Sequence, residues 1–443
     1  MRIEGVKNII LTVLVTTSIL LTWNIWTYQP DLKQAEQNEY IQEINIRAKQ
    51  DIKNIIQPSQ ILYHKEKKHF VSLDEKEINR VMNGLFEWKL VDLQDISHKV
   101  GEKSFTAFVH KEGNAEIKFP DPIPMRVYKN LLDLEGKEVP NGKFDRIVFN
   151  AEKIEGEQSS LYFISYETRR IYESKVNSSN LLNFQKHFFN NANRFPEYEP
   201  YEVTPFRTVF LPKENIKLSS YQYIPELLDK NKFKDALFND PSRVKKERVS
   251  RGDQYTDGSS LMNVYNEYLI IDYVNPARSN TVTQESDELL QRSIDFINDH
   301  AGWDDKFKFS GLSEAEQRVE YRLFIQGYPV FNEMGMSQII QVWGSDRIYR
   351  YTRPFFSIDR PLPSGTSTVS EVPSAKWAME RLNEMNLDMD AFEDIAIGYK
   401  LSIDPKESRL ILLEPAWYYR YGGNWGPIPF KTSAGKKGMG GQE

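Results

Sequence analysis

Between Lys7 and Asp31 the chain runs for 23 residues, Asn8 to Pro30, without one formal charge. Its apolar heart reads Ile9-Ile10-Leu11-Thr12-Val13-Leu14-Val15, then Ile19-Leu20-Leu21. A helix of this length rises roughly 30 Å, the thickness of a bilayer's hydrocarbon core. Trp23, Trp26 and Tyr28 gather at the distal end, where amphipathic rings settle among headgroups, and are the expected membrane-interface anchors. Arg2, Lys7 and the free amine precede the run, so the positive-inside rule puts the N-terminus in the cytoplasm. A cleaved signal peptide needs small residues at its exit. Here the exit is Thr22-Trp23-Asn24-Ile25-Trp26-Thr27-Tyr28, bulky throughout. The expectation is an uncleaved single-pass signal anchor over residues 8–30, with 1–7 in the cytoplasm and the main body outside.

That topology bounds the function. Seven residues cannot house a kinase, phosphatase or nucleotide site, so any message inward passes through the membrane helix or a partner. The chain has no cysteine, which removes disulfides, thiolate metal sites and cysteine nucleophiles; an outer body must rely on packed cores. Lys plus Arg number 57 against 63 Asp plus Glu, a net charge of -6, which opposes a nucleic-acid partner. A length of 443 residues suggests about three domains at ~150 residues each.

Residues 31–57 are polar and read as a helical stalk ended by Pro58. Ser72 and Glu75 have capping-box spacing ahead of Ile78, Val81, Met82, Leu85 and Phe86, one apolar helical face. Strands are expected at 60–64, 105–110, 115–119 and 144–149, and a strand or hairpin over 161–176. A helix follows, capped by Ser178 or Ser179. Proline and loop character from Pro196 to Pro212 suggest a first boundary. A helix after Pro225, extended segments at 243–249 and 261–274, and a helix opened by Thr283 or Ser286 fill the middle. The last third reads as strands at 320–326, 337–343 and 348–351, a helix over 375–384, then strands to Arg420. Residues 431–443 are a Gly/Ser/Lys-rich tail expected to be disordered. Helices beside antiparallel strands make the fold class α+β, divided as 31–200, 201–300 and 301–430.

Four segments carry a family resemblance: Leu21-Thr22-Trp23-Asn24-Ile25-Trp26-Thr27-Tyr28-Gln29-Pro30, Tyr255-Thr256-Asp257-Gly258-Ser259-Ser260-Leu261-Met262-Asn263-Val264, Tyr273-Val274-Asn275-Pro276 and Glu414-Pro415-Ala416-Trp417-Tyr418-Tyr419. In order, length and single-anchor topology the chain resembles the YycH (WalH) family over essentially its whole length. None of these segments is a reaction motif. The resemblance implies a plasma-membrane auxiliary regulator of the WalK/WalR (YycG/YycF) two-component system in low-GC Gram-positive bacteria. It implies association with the sensor kinase WalK and the sister protein YycI, modulation partly through membrane helices, and an influence on cell-wall metabolism. It also implies that the C-terminal part resembles the sister protein's fold.

Enzyme readings are weaker. A penicillin-binding-type serine enzyme needs Ser-x-x-Lys, Ser-x-Asn and Lys-Thr-Gly in order. Ser242-Arg243-Val244-Lys245 fits the first, but Ser178-Ser179-Asn180 precedes it and Lys431-Thr432-Ser433 begins the tail. Carboxylate pairs such as Asp304-Asp305 or Glu314 with Glu316 cannot be singled out for glycosidase chemistry among 63 acids. His64 and His69 stand beside Lys65, Lys67 and Lys68, whose charge opposes a cation; they read as surface or packing residues. No catalytic, cofactor or metal residue is assigned, and no cofactor is expected. The basic run Lys245-Lys246-Glu247-Arg248 reads as a solvated strand face, with a wall polymer or anionic headgroups as the sharper alternative. Trp417, Tyr418, Tyr419 and Trp425 read as core packing before sugar stacking. The strongest functional claim is the helix itself. Thr12 and Thr16, like Ser18 and Thr22, stand one turn apart, and small hydroxyl residues at that spacing let helices approach and bond across the contact. With Asn24 they are the candidate partner-helix contacts. The alternative is that each hydroxyl bonds its own backbone.

Overall fold

The computed structural model describes residues 11, 13–18, 20–23 and 48–429, apart from 130, 135–138, 277–283, 301, 346, 359–360 and 363–367. The expected stalk over 31–47, Thr283 and the tail lie outside the described residues. Contacts divide the chain into Met1–Glu43 and a compact body, Ile44–Glu443. The described residues of the first unit are helical, from Leu11 to Trp23.

The body is α+β and rich in sheet, as expected. Its first sheet has ten strands: β1 (Gln60–Lys65), β2 (Lys68–Ser72), β3 (Lys89–Asp95), β4 (Asn114–Pro124), β5 (Asp133–Leu134), β6 (Lys143–Asn150), β7 (Gln158–Ser165), β8 (Arg170–Asn177), β9 (Glu197–Thr204) and β10 (Arg207–Pro212). Their order is β10-β9-β2-β1-β4-β6-β7-β8-β3-β5. Every pair is antiparallel except β3 with β5. Alternation explains the strands: Ile147 and Phe149 are buried against the main core, while Val148 between them joins a smaller cluster with Phe105, Val109 and Ile164.

The helix Glu75–Phe86 buries Ile78, Val81, Met82 and Leu85, the face its spacing predicts. Its cap is Asp74, whose carboxylate accepts from the Lys76 N–H, rather than Ser72. Ser72 instead accepts from the Asp74 N–H, so the hydroxyl orders the residue that caps. Likewise Asn177, one residue before the two serines, caps Ser178–His187. Phe105–Val109, expected as a strand, is a short helix that buries Phe105 and Val109 beneath the sheet. The proline-rich stretch after Pro196 is the β9–β10 hairpin, in which Pro200 faces Phe210. Proline removes only its own N–H, so a strand near a sheet edge tolerates it.

A second, thirteen-stranded sheet runs from Tyr221–Tyr223 through Ile411–Tyr421, Phe392–Ile403, Tyr328–Phe331, Arg318–Ile325, Gln338–Trp343, Ile348–Pro354, Ile270–Val274, Leu261–Tyr265 and Gly252–Thr256 to Lys245–Val249. Phe307–Ser313 pairs beside Arg318–Ile325, and Asn424–Pro427 beside Ile411–Tyr421. Only Tyr328–Phe331 against Phe392–Ile403 is parallel among these pairings. The edge strand Lys245–Val249 is exposed at all five positions. Its charges discourage another strand from adding there, which is the solvated-face reading. Ser286–His300 buries Leu289, Leu290, Ile294 and Ile297. The helix Ala375–Glu384 is capped by Ser374, which accepts from the Trp377 N–H. One core runs from Ile55 to Leu413 and takes side chains from both sheets.

Candidate functional site

The described residues of the N-terminal helix are mostly apolar, and all are exposed. Leu14 is 62% exposed, Leu20 65% and Trp23 70%, on a segment with no formal charge. Such a surface needs a bilayer or another apolar partner. Among the described residues no helix is long and apolar enough to cross a membrane. Thr16, Ser18, Thr22 and Trp23 lie on the described helix, whereas Thr12, Asn24, Trp26 and Tyr28 lie outside the described residues. The Thr22 hydroxyl donates to the Ser18 carbonyl at 2.8 Å, and Thr17 does the same to Val13 at 2.7 Å. Such back-bonding satisfies a hydroxyl locally and leaves its oxygen lone pairs able to accept from a neighbour.

In the body, the candidate reactive groups are tied into structure. Ser242 sits in a one-turn helix, Pro241–Arg243, and donates to Asp240, while Lys245 belongs to the exposed edge strand. Asp304 pairs with Arg353, both inaccessible to solvent. Asp305 accepts from Ser357 Oγ and the Ile358 N–H at 3.2 Å each. Glu314 takes a bond from Ser286 and an ion pair from Lys143. Trp417 is buried and donates to the Pro373 carbonyl at 2.7 Å, and Phe331 stacks on Tyr418 at 3.9 Å. These acids and rings hold the fold.

Between the sheets lies a narrow cavity of about 110 Å³ whose lining includes Arg146, Tyr166 and Phe210 from the first sheet's side and Arg322, Asp394 and Trp425 from the second. Lys118 bridges across to Asp394 at 2.7 Å. Burial pushes the Asp394 carboxyl up, but Lys118 outweighs it and holds the group below its usual range. Arg322 is 7% exposed, and burial pushes its guanidinium down to about 10. It donates to the Val330 carbonyl at 3.2 Å, and its Nε has no partner. Ser310 Oγ, which lines the same cavity, also lacks one.

Behind Arg146, Tyr166 and Phe210, which line this cavity, lies a polar cluster that sequence reading missed. His64 on β1 and His69 on β2 are register partners, and Glu116 comes from the adjacent β4. His110 follows the short helix Phe105–Val109. Glu116 Oε1 lies 2.6 Å from His64 Nε2 and 2.5 Å from His110 Nδ1. Arg146 on β6 donates to Glu116 Oε2 at 3.0 Å and lies 3.7 Å over the Tyr166 ring. His64 Nδ1 meets His69 Nδ1 at 2.6 Å, and His110 Nε2 meets Tyr166 Oη at 3.0 Å. Burial pushes His69 down to about 4, with His64 and His110 adding to it, and burial likewise lowers His110. For Glu116 burial acts upward, yet His110 and His64 prevail and hold it well below the carboxylate range. The only local signal was the His64–His69 hairpin spacing; His110 and Glu116 arrive through strand pairing that no short motif encodes.

Among the described residues the candidate acids and Ser242 are bound into structural contacts within a sheet-rich α+β body. The chain belongs to the YycH family: residues 4–193 match "YycH protein, N-terminal domain" and residues 206–435 match "YycH protein, C-terminal domain". It is 25% identical over 448 aligned positions, 97% of each chain, to the "Two-component system WalR/WalK regulatory protein YycH" of Bacillus subtilis (strain 168). The crystal structure of YycH from Bacillus subtilis has the same fold, with a TM-score of 0.74, 22% identity and coverage of 87% of this chain and 99% of that one.

Proposed function

We propose that this protein is a non-enzymatic, single-pass plasma-membrane regulator of a WalK-type sensor kinase, acting with a YycI-type sister protein. The observation that carries the reading is the end-to-end similarity to a relative named for WalR/WalK regulation. The uncharged helix with its exposed apolar side chains supports it. Thr12, Thr16, Ser18, Thr22 and Asn24 supply the partner-helix contact, and Trp23, Trp26 and Tyr28 anchor the outer interface. The body stands outside the membrane. Association biases the kinase only by the difference in contact free energy between its signalling states. A coupling of roughly 1–3 kcal/mol changes output several-fold to about a hundredfold. Photocrosslinkers placed at Thr16 and Thr22 in the full chain should capture a histidine kinase and a second single-pass protein. Capture of lipid alone, with the protein intact, would remove the helix contact from the account.

A second reading is a cell-envelope binding module for wall polymer or anionic headgroups. The buried, incompletely bonded Arg322 beside Ser310 favours it, since an anion would satisfy both. That reading predicts that Arg322→Met abolishes regulation while a substituted membrane helix does not.

A further inference from the structure

Two of the chain's six histidines, His64 and His110, converge on one buried glutamate from separate parts of the fold, and a third, His69, backs the first. We propose that His64 Nε2, His110 Nδ1 and Glu116 Oε1 form a binding site for a divalent transition-metal ion of the zinc class. One ligand atom from each residue lies within 4.8 Å of the others. Two imidazoles and a carboxylate are a donor set that such ions favour.

The surroundings fit the assignment. Each ligand's far side is already held: His64 Nδ1 by His69, His110 Nε2 by Tyr166, and Glu116 Oε2 by Arg146. Outer partners of this kind fix ring orientation and tautomer around a metal. When the inner nitrogens give their lone pairs to an ion, the N–H protons sit on the outer nitrogens. They then face His69 Nδ1 and Tyr166 Oη, both able to accept. Tyr166 Oη is itself fixed by the Thr208 N–H at 3.1 Å. The local charge also permits a cation, because Glu116, Asp145 and Asp394 outnumber Arg146 and Lys118 in this network. Phe210 roofs the site, with its ring 5.3 Å from that of His64, 4.8 Å from His69 and 4.9 Å from His110. Without an ion, Glu116 Oε1 draws both imidazoles to 2.6 and 2.5 Å. Ligands about 2.0–2.1 Å from a tetrahedral centre stand roughly 3.3 Å apart. On loading, Glu116 Oε1 therefore moves back from each imidazole by under about an ångström, while the two ring nitrogens, within 4.8 Å of each other, close on the ion. The ion would pin β1, β4 and the short helix before His110 together beneath the β9–β10 hairpin. The inference is independent of kinase regulation.

The test is the full chain in detergent micelles, purified without a polyhistidine tag and assayed for metal by mass spectrometry and for cobalt(II) uptake by visible absorption. The expected result is one equivalent per chain, with cobalt bands lost in His64→Ala and Glu116→Gln. His98→Ala and His187→Ala, at exposed histidines, should keep both. Tyr166→Phe preserves the ligands and should weaken affinity about 10–100-fold, which covers the case in which a ligand variant fails to fold. Folded wild-type protein that takes up no zinc or cobalt at micromolar concentration would overturn the proposal. Undiminished uptake by folded Glu116→Gln would do the same.

Discussion

Lys308 is a buried ammonium whose removal should stabilise the protein. It is 4% exposed, lies opposite Arg322 in the register of neighbouring strands, and forms no ion pair with a described carboxylate. The Phe324 ring lies 4.9 Å from its ammonium, and the Glu75 charge offsets part of the burial. Burial lowers it from 10.5 to about 8. At about 1.4 kcal/mol per pH unit, holding the charged form inside costs about 3 kcal/mol. Methionine keeps the stem and the ring contact but loses a cation–π attraction worth about 0.5–2 kcal/mol. Lys308→Met should therefore gain about 1–2 kcal/mol at pH 7. The pH dependence has a definite sign. Below about pH 8 the folded and unfolded chains both carry the proton, and the cost is complete. Between about 8 and 10.5 the folded chain releases its proton while the unfolded chain keeps it, so wild type gains stability with rising pH. The variant's advantage should fade across that window. Denaturant unfolding of the full chain in micelles, followed by tryptophan fluorescence at pH 7 and pH 10, measures it. A variant less stable at pH 7, or an advantage unchanged at pH 10, would refute the reasoning.

Three further outcomes follow from the same contacts. Asp304→Ala leaves the fully buried Arg353 guanidinium without its counter-charge and should cost about 3–5 kcal/mol, read from denaturant midpoints, whereas Arg353→Met with Asp304→Leu should recover most of it. Gly327 has φ +84°, and an added Cβ would stand 2.1 Å from the Leu73 carbonyl oxygen; Gly327→Ala should lose more than about 1 kcal/mol in a thermal melt. Replacing residues 8–30 by an unrelated apolar helix of equal length should abolish kinase modulation while leaving the body's melting temperature unchanged.

Much of the sheet architecture was legible because alternation is local. The hairpins Gln158–Asn177 and Leu261–Val274 follow from β-branched and aromatic runs, and the Asp257-Gly258 turn from a glycine at φ +92°. Ala375–Glu384 and Glu75–Phe86 follow from helical spacing. Failures occurred where tertiary packing decides. Phe105-Thr106-Ala107-Phe108-Val109 has strand composition, yet one helical turn puts Phe105 and Val109 on the same buried side. Pro200 and Pro212 read as loop, yet the sheet's outer hairpin accepts them. The capping residues were misplaced by one or two positions because several polar side chains competed for each helix start. The histidine cluster was illegible because strand order, not sequence distance, brings His64, His110 and Glu116 together. His64, read as a surface or packing residue, is fully buried and bonded at both nitrogens.

The most direct measurement is autophosphorylation of a WalK-type kinase in proteoliposomes, with the full chain and its YycI-type sister added at controlled ratios. The account predicts a saturable change of several-fold or more that the helix-replaced chain does not produce. Kinase activity that stays constant as the intact chain is added, with insertion verified, would contradict it.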